Sequence, residues 1–249
     1  MDKRPDQAVP NGWTTNELAA YFDKMRQNQL ATFDIERPLF GLLTEIEAMY
    51  RRAIESIDHA EKGLFAVFLI RAHGSYLAAC SLASACHVPE TYALLRLTLE
   101  SAMYGLFVSK DSERFKLWLK RHDDEQARKK VRKLFTNTAL LDTVESELPA
   151  TDGKRFRDLY EETVDRGAHP NEQYLTPYME QERRANGVYI KVTHMFEGGP
   201  RLQGIMVNTA RTGLFGLLVF EHLYRKRFAL VSLDQDIYRL RDLLWPPQS

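Results

Sequence analysis

Two cysteines, Cys80 and Cys86, are all that the 249 residues carry, which excludes a disulfide scaffold. Both fall in one apparent helical stretch, where six residues span about 9 Å of axis and turn onto different faces, so they are not expected to bridge each other. The opening segment MDKRPDQAVPNGW has no apolar region of the kind a secretory signal needs, and a reducing, cytoplasmic setting is expected. Net charge is lacking too. Lysine plus arginine number 34, as do aspartate plus glutamate, so whole-molecule charge gives no reason to expect nucleic acid or an anionic membrane as the default partner. There is no phosphate-cradling glycine loop, HExxH, paired CxxC, GxSxG elbow or EF-hand spacing. His73, Cys80, Cys86 and His87 do not repeat at a metal-ligand spacing, so neither a metal nor a cofactor is expected. No internal repeat or low-complexity tract divides the chain.

What is present is hydrophobic residues, 44% of the chain, recurring at helical spacing. Thr14 to Glu17 (TTNE) has the spacing of a capping box, and Leu18, Tyr21, Phe22 and Met25 follow it along a first helix. Pro38 suits the first turn of a second, which carries Phe40, Leu43, Ile46 and Tyr50 towards His59. Leu64 to Cys86 is long enough to cross a bilayer. Arg71 and His73 near its middle argue instead for the buried central helix of a bundle, and no membrane is expected.

Pro89 opens the next helix, in which Leu95, Leu99, Ala102 and Leu106 form an i, i+4, i+7, i+11 stripe. These two helices should pack antiparallel. Further helical patterns cover residues 112–121, 125–135, 153–165 and 205–227, and Ser232 is placed to cap a last helix through Leu233, Ile237, Leu240 and Leu244. VYIKVTHMF reads as a strand and EGGP as a turn, which predicts a short hairpin near 188–203. The architecture expected is mostly α: a single-domain bundle of about eight helices over residues 14–249 with that hairpin, after a segment 1–13 without fixed structure.

Several polar groups fall where chemistry is feasible. Arg96 and Glu100 lie four apart, flanking the apolar stripe rather than opposing it, so they should form a half-shielded pair. A structural ion pair is the plain reading; the functional one has Arg96 forking onto a phosphate or carboxylate with Glu100 holding it. Arg71, one turn before Ser75, needs an acceptor, for which Glu100 or Glu45 is available. His73 reads as a hydrogen-bonded core histidine. Asn208 and Arg211 share one side of a later helix with Phe215, Leu218 and His222, and either reach a cleft or meet solvent. The loop from Asp165 to Tyr174 gathers Arg166, His169 and Asn171, suited equally to proton transfer with anion binding and to capping the preceding helix. From Lys110 to Lys133 ten basic residues stand against five acidic ones. No aromatics are interleaved in KRHDDEQARKKVRK for base stacking, so a solvated helix pair is favoured over a phosphate-backbone footprint.

Two segments, LLRLTLESAMYGLFVSKDSERFKLWLK and the later YEETVDRGAHPNE, together resemble uncharacterised bacterial helical proteins of the broad HEPN-like group. Members carry an Arg–x3–Glu on a central helix and a histidine, often His-Pro, after a later helix. The resemblance spans Arg71 to Tyr174 and places Arg96, Glu100 and His169 at the corresponding positions. It implies a metal-independent ribonuclease acting in a dimer cleft, with His169 as general acid/base and Arg96 or Arg166 stabilising the phosphorane. Arg166 and His169 have only two residues between them, closer than in active members. The sequence therefore favours a non-enzymatic binding or regulatory module. That ribonuclease is the first alternative, with a homodimer and RNA as partners. A pocket for a small anionic ligand built from Arg71, Arg96 and Arg211 is the second.

Overall fold

The computed structural model describes residues 9–57, 63–168, 172, 176–184 and 186–246. It is mostly helical, with ten α-helices and one two-stranded sheet among the described residues. In chain order the helices are α1 (Glu17–Ile35), α2 (Arg37–Ser56), α3 (Ala66–Ser84), α4 (Val88–Ser109), α5 (Ser112–Leu119), α6 (Glu125–Leu134) and α7 (Asn137–Glu147). They continue with α8 (Ala150–Thr163), α9 (Pro200–Leu230) and α10 (Leu233–Leu244).

α4 is the hub. Its Leu95, Leu99, Ala102 and Leu106 are all at most 1% exposed, so the predicted stripe is the one that seeks the core. α3 and α4 are joined by three residues, and Gly105, near the end of α4, lies against Phe68, near the start of α3. The pair is therefore antiparallel. α9 crosses the same core, buried continuously from Thr212 to Glu221. Two glycines one turn apart let it pass. A Cβ on Gly216 would lie 2.5 Å from the Tyr50 hydroxyl oxygen, and one on Gly213 would enter the Tyr76 ring. The notch admits two tyrosines, from α2 and α3, whose rings stack at 5.4 Å. Tyr50 donates its O–H to the Gly213 carbonyl at 3.0 Å and Tyr76 donates to that of Leu43 at 3.2 Å. His73 also stacks on Tyr50, at 5.4 Å, and meets Glu47 at 3.3 Å.

Several boundaries differ from expectation. The first helix is capped by Asn16, whose side chain accepts from the N–H groups of Leu18 and Ala19, while Trp13–Thr15 forms a 3-10 turn ahead of it. α3 stops at Ser84, so Cys86 is not in that helix. It sits in the connecting turn with φ 58°, and both thiols are free. α7 went unpredicted. Ser232 stands before α10 in a left-handed conformation, without a side-chain cap. The hairpin pairs β1 (Met179–Arg184) with β2 (Gly187–Val192) in antiparallel register, Glu180 opposite Lys191 and Glu182 opposite Tyr189. The strands close where Arg184 pairs with Gly187, on the other side of the predicted strand, and EGGP instead leads into α9. Both strands are largely exposed on both faces. α3 is long and apolar enough to cross a membrane, yet it packs along α4 and lies against α2 and α9.

Candidate functional site

α4 presents Tyr92, Arg96 and Glu100 at four-residue intervals, so they rise along one face. Facing them are α8 and the π-helical turn that extends it, Val164–Ala168. Gly167 brings that turn against α4, where a Cβ would come within 2.5 Å of Tyr92 Cβ and 2.7 Å of the Pro89 carbonyl oxygen.

Midway along this seam Arg96 Nε donates to Glu100 Oε1 at 2.7 Å and Tyr160 donates to the same oxygen at 3.2 Å. The guanidinium lies 5.7 Å over the Tyr160 ring. With side chains 22% and 26% exposed, this is the half-shielded pair that the spacing predicts. Burial first, then Glu100, pushes the Tyr160 hydroxyl up to about 12, which leaves it a neutral donor at physiological pH. One turn earlier on α4, Glu162 Oε1 accepts from Tyr92 at 3.0 Å and from Asn208 at 3.0 Å, and pairs with Arg166 Nε at 3.1 Å. Asn208 also donates to the Tyr92 oxygen at 2.8 Å. Burial and the adjacent Glu162 raise the Tyr92 hydroxyl above its ordinary range.

The structure thus joins Arg96 to Glu100, and Arg166 to Asn208, as two neighbouring clusters. Tyr160 completes the first and Tyr92 with Glu162 the second; none of the three was anticipated, although Tyr92 continues the four-residue spacing of Arg96 and Glu100. Arg71 is not with them. It is exposed on the outer face of α3, and its two expected acceptors are taken elsewhere: Glu100 by Arg96, Glu45 by Arg239. Arg211 lies against Trp245 at the end of α10, so the three-arginine pocket does not form. His169 and Asn171 lie outside the described residues. Among the described residues, no three His, Cys, Asp or Glu side chains gather to hold a metal ion. On the basic helices α5 and α6, Lys116, Lys120, Lys129, Lys130, Arg132 and Lys133 are exposed.

The sequence did not point to an apolar groove of about 480 Å³ between α1, α2 and α3, lined chiefly by Leu30, Phe33, Phe40, Leu43 and Leu77. Arg26, Gln29, Thr44, Glu47, Ser81 and Ser84 are its polar side chains. Cys80 also lines it, with a thiol that burial pushes up to about 12, so it is protonated and unreactive at neutral pH. The groove is continuous with an exposed stripe on α3. Val67, Ile70, Arg71, Gly74, Leu77, Ala78 and Ser81 all face outward, at the spacing of one helix face. No protein-family model, no curated protein and no solved structure matches the chain.

Proposed function

We propose that this chain is a non-enzymatic binding module of the cytoplasm, and that it captures an amphipathic helix of a partner protein in the groove between α1, α2 and α3. The observation that carries this is the groove with its stripe. Leu30, Phe33, Val67, Ile70 and Leu77 are 45 to 61% exposed, an apolar surface that costs free energy while it faces water. From Val67 to Ser81 the stripe runs about 21 Å, the length of a four-turn helix and more than a small ligand fills. Gly74 has open space where a side chain would be, which lets a partner backbone approach. Arg26 lines the groove and Arg71 stands on the stripe, and Glu47 is already paired with Arg51 and His73. The partner helix therefore carries leucine-like anchors at i, i+3, i+4 and i+7 with acidic flanks.

The ribonuclease alternative, resting on the HEPN-like resemblance, asks for an arginine at liberty to meet a phosphorane. Arg96 and Arg166 each commit a guanidinium N–H to a carboxylate, which favours the binding reading.

The test is titration of a synthetic helical peptide with leucines at those positions and flanking glutamates. It is expected to bind saturably, and Leu77→Asp, at a site 45% exposed, to weaken binding at least about tenfold without lowering the melting temperature. Arg71→Glu should weaken this peptide and favour its lysine-flanked counterpart. Binding indifferent to Leu77→Asp would remove the groove from consideration. A dimer that Leu77→Asp dissolves would put a second copy there, and chelator-resistant RNA cleavage lost in His169→Ala would replace binding with catalysis.

A further inference from the structure

A second cavity, of about 560 Å³, lies between α8, α9 and the end of α10 with the two residues after it. α8 contributes Thr151, Lys154, Arg155 and Asp158, spaced at i, i+3, i+4 and i+7 and so on one face; α9 contributes Arg211; Trp245 and Pro246 close the other side. The indole is fixed from behind, edge-on to the fully buried Phe215 at 4.9 Å and 81°. Two guanidinium carbons attend it, Arg211 at 5.0 Å and Arg155 at 5.6 Å from the ring centre.

Charge in this cavity is unbalanced, although the chain as a whole is neutral. Three cations and one carboxylate line it. Asp158 is taken by Lys154 at 3.1 Å. Arg155 reaches Asp152 at 3.3 Å, but that buried carboxylate also serves Arg241 at 3.0 Å. Arg211 has no carboxylate partner among the described residues. One of its terminal nitrogens donates to the Leu244 carbonyl at 3.3 Å, and its Nε–H is sealed from solvent without an acceptor. A buried donor left unmade is costly, and a guanidinium normally forks onto an anion. The cavity is of small-molecule size.

We infer that this cavity is a binding site for a small phosphomonoester with a planar body, the phosphate held by Arg211, Arg155 and Lys154 and the body laid against Trp245. A phosphomonoester, close to dianionic at neutral pH, matches the surplus of two positive charges on the lining better than a carboxylate does. This site is separate from the apolar groove, and the two stand or fall independently.

Phenyl phosphate is the probe, titrated into the full chain by calorimetry, with benzoate as the monoanionic comparison. Phenyl phosphate is expected to bind saturably and benzoate at least about tenfold more weakly. Arg211→Met should weaken phenyl phosphate at least about tenfold. Because Arg211 also touches α10, Lys154→Glu is read beside it. That side chain is 78% exposed, so its replacement leaves the fold intact, and binding should weaken at least about threefold. Leu77→Asp should leave the titration unchanged. No saturable binding at low millimolar probe, binding equal for benzoate, or binding indifferent to both Arg211→Met and Lys154→Glu would each overturn the assignment.

Discussion

Gly213→Ala is expected to lower the unfolding free energy by about 3 kcal/mol, even after the roughly 1 kcal/mol that alanine gains over glycine inside a helix. The added Cβ would stand 2.7 Å from Cδ2 and 2.9 Å from Cζ of Tyr76, and nearer still to Cε2. Neither side can yield cheaply. Tyr76 is wholly buried, stacked on Tyr50, and tied through its hydroxyl to the Leu43 carbonyl. The Gly213 backbone is itself held by the Tyr50 hydroxyl. Relief requires α9 to lift off α2 and α3, which opens the stack that joins three helices. Gly204, on the same helix with nothing within 4 Å of its would-be Cβ, is the matched control, and Gly204→Ala should be neutral or stabilising. Chemical denaturation of both variants settles the matter. Equal midpoints for the two would mean that α9 does not pass this close to Tyr76.

The helices were legible where apolar residues recur at helical spacing. Leu95, Leu99 and Leu106 repeat at a spacing that only a helix places on one side, and all three are buried. α7 escaped because it is short and its apolar positions, Leu140, Leu141 and Val144, follow directly on the charged helices before it. Its Thr136 cap, which accepts from the Ala139 N–H, was a readable signal. The hairpin was displaced for a similar reason. Asn186-Gly187 is a strong turn dipeptide, whereas MEQERR has too little apolar content to announce a strand.

α3 shows where reading from sequence reaches its limit. A helix apolar on all sides looks buried on all sides, and periodicity cannot say which face neighbours cover. Val67, Ile70 and Leu77 proved to be outside, and Arg71 with them, so the arginine needs no internal acceptor. The groove is assembled from three successive helices, and the Trp245 cavity from α8, α9 and the end of α10. Their existence depends on how helices cross, which residue spacing within any one helix does not record. Arg96 and Glu100, by contrast, were found because both partners lie on one helix, four residues apart.

That pair carries the second large effect. Glu100→Ala removes the acceptor shared by Arg96 Nε and the Tyr160 hydroxyl, and leaves a guanidinium over an aromatic ring with no counter-charge at 2.7 Å. A surface pair of this kind contributes about 0–1 kcal/mol, whereas breaking a fully buried one costs roughly 3–5 kcal/mol. With side chains 22% and 26% exposed, the Arg96–Glu100 clasp lies between these limits, and the expected loss is about 2 kcal/mol. Glu100→Gln keeps an oxygen acceptor for both donors but removes the charge, so it should lose about half as much. In an Arg96→Met background, Glu100→Ala should cost clearly less than it does alone, because the stranded cation is gone. A loss below about 0.5 kcal/mol for Glu100→Ala would class the clasp as surface decoration. The same variants bear on function. If Arg96 serves the fold rather than a reaction, every variant of this pair that remains folded will bind the groove peptide as the unaltered chain does.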